Sequence, residues 1–241
     1  MLCHHYKCIF VHIPKNAGQS IERVFLDKLN LTWEIRAPLL LRKNDNPKLG
    51  PTHLAHLKAR DYVDFKYISK EIFDSYYKFS FVRNPWSRLL SFYKYRNYHE
   101  RYEFNDFVLG VFQDHVFKNE NWFVGPQSNY IFSDSGEQHV DFVGRFENLQ
   151  DDFNFVCRKI GIPPTPVPHT NQSKGNDVLA KSNLQASPKT AKKLLKNMIN
   201  NTFTAEKPRY RTYQEYYNQE AIDCVAHLYR KDIELFGYDF E

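Results

Sequence analysis

Apolar residues in this chain alternate between two spacings. Cys8-Ile9-Phe10-Val11-His12-Ile13 is a short β-branched and aromatic run, read as a buried strand that Pro14 ends because it has no N–H to donate. Just downstream, Ile21, Val24, Phe25 and Leu29 recur at helical spacing, which predicts a helix beginning near Gly18 or Gln19. The pattern then repeats. Lys78-Phe79-Ser80-Phe81-Val82 reads as a second strand, and Asn84 and Pro85 suit the N-cap and first position of a following helix. Residues 150–160 read as a helix behind a strand end at Arg145-Phe146-Glu147. Phe104, Phe107, Val108, Val111 and Phe112 suit the core face of an amphipathic helix. A final helix over 219–236 is expected to bury Ile222, Val225, Ala226, Tyr229, Ile233 and Phe236, with Gly237 ending it. Strand and helix patterns that alternate in this way predict an α/β fold. Its central, mostly parallel sheet is flanked by helices, in one domain over 1–241.

Two of the strand-to-helix turns carry unusual chemistry. The first is Ile13-Pro14-Lys15-Asn16-Ala17-Gly18-Gln19-Ser20. The first N–H groups of a helix have no partner within it, and with the helix dipole they form an anion site. Ala17 and Gly18 are small enough for a phosphate to reach the backbone, Lys15 adds a charge and Ser20 a hydroxyl. This is not a Walker A loop, because Lys15 precedes the only glycine instead of following a second one. In the second turn, Arg83 stands just before the helix N-terminus, where its fork of donors can grip a phosphate. Ser87 and Ser91 are i,i+4 neighbours on the helix that follows. Two such turns suggest a ligand with phosphates at both ends.

Composition adds bounds. The net charge of +5 suits an anionic nucleotide and an acidic acceptor, but it is too balanced to favour a nucleic-acid binder, and no nucleic-acid motif is present. No run of about 18 apolar residues predicts a membrane span. Cys3, Cys8, Cys157 and Cys224 are scattered and read as reduced thiols, and Cys3-His4-His5 with Cys8 lacks the second ligand pair of a metal site.

Together the two turns resemble the sulfotransferase superfamily, in particular the carbohydrate-type (family 2) sulfotransferases. There, I-P-K-x-x-G-x-S holds the 5′-phosphosulfate of 3′-phosphoadenosine 5′-phosphosulfate (PAPS), and V-R-N-P-x-x-R-x-x-S holds its 3′-phosphate. Val143-Gly144-Arg145-Phe146-Glu147-Asn148-Leu149 and the stretch over 228–238 are similar to further family segments, so the likeness runs along nearly the whole chain. It implies a P-loop-like sulfotransferase fold and PAPS as co-substrate, with 3′-phosphoadenosine 5′-phosphate (PAP) as product. It also implies that Lys15, Asn16, Ala17, Gly18, Gln19 and Ser20 hold the 5′ end and that Arg83 and Ser91 hold the 3′-phosphate. Asn16 and Ala17 depart from the family's usual Thr-Gly pair, which removes one hydroxyl donor.

Sulfuryl transfer needs a base for the acceptor hydroxyl and charge on the leaving phosphate. Lys15 is expected to supply the charge. His53, in Gly50-Pro51-Thr52-His53-Leu54-Ala55-His56-Leu57, is the expected base, with His56 as its substitute or an acceptor contact. Gln127 and Ser128 are read as a polar turn touching acceptor or sulfate. Residues 161–175 resemble the family's nucleotide-covering loop, with His169, Asn171, Ser173 and Lys174 as candidate contacts, and Ser173 and Lys174 the ones carried forward. Lys189, Lys192, Lys193 and Lys196 form either a solvated basic face or a docking surface for an acidic glycan. The family's Golgi enzymes carry an anchor and stem. Without these the chain is expected to be a cytoplasmic, bacterial enzyme, or a Golgi-lumen one if it is a trimmed piece. The expected function is therefore a PAPS-dependent sulfotransferase acting on a carbohydrate hydroxyl. The rivals are a kinase-like phosphotransferase, a nucleic-acid binder and a PAP-binding protein without catalysis.

Overall fold

The computed structural model describes residues 1–168 and 212–241. At its centre a four-stranded sheet runs in the order β1 (Leu2–Cys3), β2 (Cys8–Val11), β3 (Tyr77–Val82), β4 (Phe142–Arg145). β2, β3 and β4 are mutually parallel, and β1 is an antiparallel edge on β2. The mostly parallel sheet is as the alternating pattern implies. The two-residue β1 was not anticipated, because it is too short to show a period. It pairs Cys3 with Cys8, and both thiols are free and buried.

Side chains on a strand point alternately to its two faces. Phe10, Phe79 and Phe81 therefore fall on one side, where they meet Ile21, Val24 and Phe25 of α1 (Gly18–Lys28) and Phe153 and Val156 of α3 (Leu149–Lys159). Ile9, Val11 and Val82 face the other side, against Leu54, Leu57, Tyr62, Tyr130, Phe236 and Tyr238. Each such aromatic or branched side chain contributes about 1.5–3 kcal/mol by leaving water. A third cluster joins α2 (Pro85–Tyr95) through Trp86, Leu89 and Phe92 to Phe107, Phe112, Phe123, Val225 and Tyr229.

The amphipathic stretch from Phe104 is helical, but it widens into a π-helix over Phe107–Val116 before an α-turn at Phe117–Asn119. The expected C-terminal helix is two: α4 (Gln219–Leu228) and α5 (Arg230–Phe236), with Gly237 closing α5 at φ 58°. Ile222, Ala226 and Ile233 are only half-buried. The buried polar group in this region is Asp232.

In the register, Val11 pairs with Ser80 and Val82 with Arg145. The carboxyl ends of β2 and β3 thus lie side by side, and the two turns that follow them share one edge of the sheet. In open α/β sheets this is the edge where ligands bind. Among the described residues, no helix is long and apolar enough to cross a membrane.

Candidate active site

The first turn runs from the end of β2 to Gly18. Lys15 (φ 72°) and Ala17 (φ 62°) are both left-handed, a conformation that costs a non-glycine residue roughly 1–2 kcal/mol. Two such residues within three positions reverse the chain tightly enough for α1 to start at Gly18, as the spacing predicts. The amides of Ser20 and Ile21 both return to the Ala17 carbonyl, at 2.9 and 3.2 Å. Gly18 has a second reason to lack a side chain: a Cβ there would lie 1.9–2.4 Å from the imidazole of His12. His12 is buried beneath the turn with Nδ1 2.6 Å from Oε1 of buried Glu22. The sequence reading assigned neither of these two residues a role.

Asn16 does not present its side chain to a ligand. Its Nδ2 donates inward to the Phe81 carbonyl (2.8 Å) and to Oε1 of Gln127 (2.7 Å), so any grip on an anion here comes from backbone. Gln19 is exposed and Ser20 buried.

The second turn forms as the cap residues imply. Asn84 Oδ1 accepts from the amides of Trp86 and Ser87, and Pro85 opens α2. The Asn84 amide donates to Glu147 Oε1 at 2.8 Å, which fixes the turn against the end of β4. Arg83 lies over the Phe146 ring at 4.0 Å and donates Nε and Nη2 to Ser87 Oγ at 3.0 and 2.8 Å. Its nearest hydroxyl is therefore Ser87, with Ser91 half-buried one turn along the same helix. Nη1 of Arg83 reaches the Lys15 carbonyl at 3.3 Å, so the two turns touch.

Gln127 is the junction between them. Expected at the acceptor, it is instead fully buried: Oε1 accepts from Asn16 Nδ2 and from the Arg83 amide, and Nε2 donates to the Arg83 carbonyl. The adjoining Ser128 is buried as well, and the amides of both residues donate to Asp232 of α5, at 2.6 and 2.9 Å. Arg88 is a second brace. Buried within α2, it donates to the carbonyls of Pro14, Phe123, Val124 and Gly125. One guanidinium thus ties the first turn to the segment that carries Trp122. The sequence offered a signal for Arg88 in its motif position and singled out Gln127 as a contact to acceptor or sulfate, not as a brace; it offered none for Asp232, which is distant in the chain.

Positive charge gathers at the turns, with Glu147 the acidic group beside Arg83. Burial, then Arg83 and Arg88, hold the Lys15 ammonium down to about 8. Burial lowers Arg83 to about 10, with Glu147 opposing the shift and Arg88 adding to it. Lys15 Nζ rests 3.9 Å over the exposed Tyr95 ring. From there a line of ring contacts runs Tyr95–Phe123 (5.8 Å), Phe123–Trp122 (5.1 Å) and Trp122–His53 (6.0 Å). Lys15 and His53, far apart in sequence, are thereby brought to two ends of one aromatic wall.

His53 is half-exposed at the start of the 3-10 turn Leu54–His56. Its loop is pinned by Asn44 N to Thr52 O (2.8 Å) and Leu54 N to Arg42 O (3.2 Å). His56 packs inward, its ring 4.4 Å from that of His12 and its Nδ1 3.0 Å from the His12 carbonyl. A carbonyl only accepts, so Nδ1 carries the proton and Nε2 is the basic nitrogen. Burial, then the nearby His12, pulls the pKa of His56 well below the ordinary value. Ser173 and Lys174, with His169, Asn171 and the lysines at 189–196, lie outside the described residues. Among the described residues, no group of three or more His, Cys, Asp or Glu side chains is placed to hold a metal ion.

The profile of the Sulfotransferase family matches residues 1–239. An uncharacterised protein of Archaeoglobus fulgidus is 35% identical over 99 residues, covering 40% of this chain and 77% of its own. Carbohydrate sulfotransferase 11 of Rattus norvegicus is 28% identical and that of Mus musculus 27%, each over 194 residues and 65% of this chain. The chain spans about half the length of these two mammalian relatives, 51% in each case. No solved structure matches. A match over nearly the whole chain joins the two paired turns at the sheet edge, and the chain belongs to the sulfotransferase family.

Proposed function

We propose that this protein moves a sulfuryl group from PAPS to a hydroxyl of a carbohydrate. The observation that carries this reading is the meeting of two strand-to-helix turns on neighbouring strands, where Arg83 reaches the Lys15 carbonyl and Arg88 the Pro14 carbonyl. Lys15, Arg83 and Arg88 are gathered there, and burial with the two arginines holds the Lys15 ammonium down to about 8. A cluster of partly buried cations of this kind is stabilised by an anion that spans both turns. Lys15 with the backbone of residues 16–20 would take the 5′-phosphosulfate, and Arg83 with Ser87 and Ser91 the 3′-phosphate. The carbohydrate acceptor is supported by the names of the two mammalian relatives.

In the proposed reaction the acceptor oxygen attacks sulfur as the bond from sulfur to the bridging phosphate oxygen breaks. That electron pair leaves on PAP, where Lys15 offsets the growing charge. The hydroxyl proton passes to an imidazole. His53 is the proposed base: it is half-exposed beside the aromatic wall, where an acceptor can reach it. His56 has its tautomer fixed for the same work, but its low basicity weakens it as a proton acceptor.

The test is calorimetric titration with PAP, with ATP as control, followed by transfer of label from PAPS to a glycan panel. PAP is expected to bind, and Arg83→Ala to weaken it by at least about 10-fold, the loss of one charge-assisted contact. His53→Ala is expected to lower kcat by about 100-fold or more without weakening PAP. Folded protein that ignores PAP sinks the reading. Loss of turnover in His56→Ala with His53→Ala near wild type would move the base to His56.

A further inference from the structure

Trp122 and Tyr95 expose large aromatic surface, 43% and 55% of each residue, immediately beside the site. Neither exposure comes from a loose segment. Tyr95 closes α2, and Lys15 Nζ sits over its ring. Trp122 lies in the short helix Asn121–Val124, and the backbone around it is braced from three sides. The Trp122 carbonyl accepts the Tyr130 hydroxyl, the Val124 carbonyl accepts the Tyr229 hydroxyl at 2.5 Å, and the carbonyls of 123–125 accept Arg88. The backbone that carries the indole is thus fixed, and the ring packs against Phe123 and lies 6.1 Å from His56 while keeping the rest of its surface open to solvent. The His53 imidazole lies nearly parallel to it, at 24° and 6.0 Å.

We propose that Trp122, flanked by Tyr95, is the platform on which one pyranose ring of the acceptor stacks. The proposal rests on the sulfotransferase reading and assigns that site its sugar subsite. The chemistry favours a sugar over other hydroxyl acceptors. A pyranose presents an apolar face of C–H groups to an indole and keeps its hydroxyls at the rim, where one is free to meet a base. A rigid indole adds large contact area at little entropic cost. The wall joins His53 to Lys15 through consecutive rings, so a sugar on Trp122 has the proposed base on one side and, on the other, the Lys15 turn proposed to hold the phosphosulfate. Arg96 stands 5.3 Å over Phe123 on the same wall, but it is already paired with Glu120, so stacking is the wall's main contribution.

The experiment is calorimetric titration of the PAP-treated protein with two probes. One is a neutral N-acetylhexosamine tetrasaccharide, and the other alternates hexosamine with uronic acid. Wild type, Trp122→Ala and Trp122→Phe are compared, with PAP affinity measured on each as the check of folding. At least one probe is expected to bind wild type, about 10-fold or more weaker to Trp122→Ala and within about 3-fold to Trp122→Phe, with PAP affinity unchanged. Transfer assays on the same probe should show the loss in KM more than in kcat. Equal affinity in Trp122→Ala overturns the proposal, and so does failure of both probes to bind wild type. A sugar that binds through Trp122 and is never sulfated would leave the platform standing and sink the transferase reading instead.

Discussion

At the scale of one residue, Lys15 shows what the site costs and what it is for. Its ammonium titrates at about 8 in the fold, against 10.5 as the ordinary value. A lysine whose folded value is depressed destabilises the native state below about pH 8. Between about 8 and 10.5 the unfolded chain holds more protons, so the handicap is relieved as pH rises through that window. Lys15→Met is therefore expected to raise stability at pH 7 by about 1–3 kcal/mol while abolishing transfer. Denaturant melts at pH 7 and pH 10 check it, since the gain should shrink at the higher pH. On the proposed function, an arriving anion restores the proton. PAP titrations at pH 8.5 in two buffers of different ionisation enthalpy should show proton uptake in wild type and none in Lys15→Met. Absence of uptake in wild type would show that the ammonium does not face the anion.

At the scale of elements, two turns on neighbouring strands must keep one spacing, and Gln127 sets it. Its carboxamide serves Asn16 on one side and both the amide and carbonyl of Arg83 on the other, and Asp232 anchors its own amide. Gln127→Leu fills similar volume but leaves the Asn16 amide only the Phe81 carbonyl and removes the Gln127 partner of both Arg83 backbone groups in a dry site. A loss of about 2–4 kcal/mol is expected in urea melts, with PAP binding impaired although Gln127 would touch no ligand. Unchanged stability would mean that the turns hold themselves. The turns themselves were legible in the sequence: Pro14 and Gly18, then Asn84 and Pro85, announce where strand stops and helix starts through backbone chemistry that acts locally. Gln127, Asp232 and Trp122 were not legible as site-builders. Their roles come from packing between distant parts of the chain, Gln127 against Arg83 44 positions away, Asp232 against Gln127 105 away and Trp122 against His53, and neither spacing nor residue type signals these partners. The split of the last helix at Tyr229 was hidden for a related reason, since buried Val225, Tyr229, Asp232 and Phe236 keep a helical spacing straight through the break.

At the scale of the whole molecule, the sheet couples the two halves of the site. The first turn grows from β2 and the second from β3, which are hydrogen-bonded over Cys8–Val11 against Tyr77–Ser80. A ligand held by both turns, as proposed for PAP, would therefore clamp the centre of the sheet, and its binding energy becomes resistance to global unfolding. At 100 times its dissociation constant such a ligand adds about 2.7 kcal/mol. For a chain of this size that corresponds to a rise of about 5–10 °C in Tm. On the proposed function AMP, which lacks the 3′-phosphate, would engage only the first turn and should give a smaller rise at the same concentration. In Arg83→Ala the two nucleotides should become nearly equal, because the residue that distinguishes them is gone. Thermal melts of wild type and Arg83→Ala with each nucleotide measure this directly. If PAP and AMP shift wild type equally, the second turn is not a phosphate site, and its close contact with Lys15 serves the fold alone.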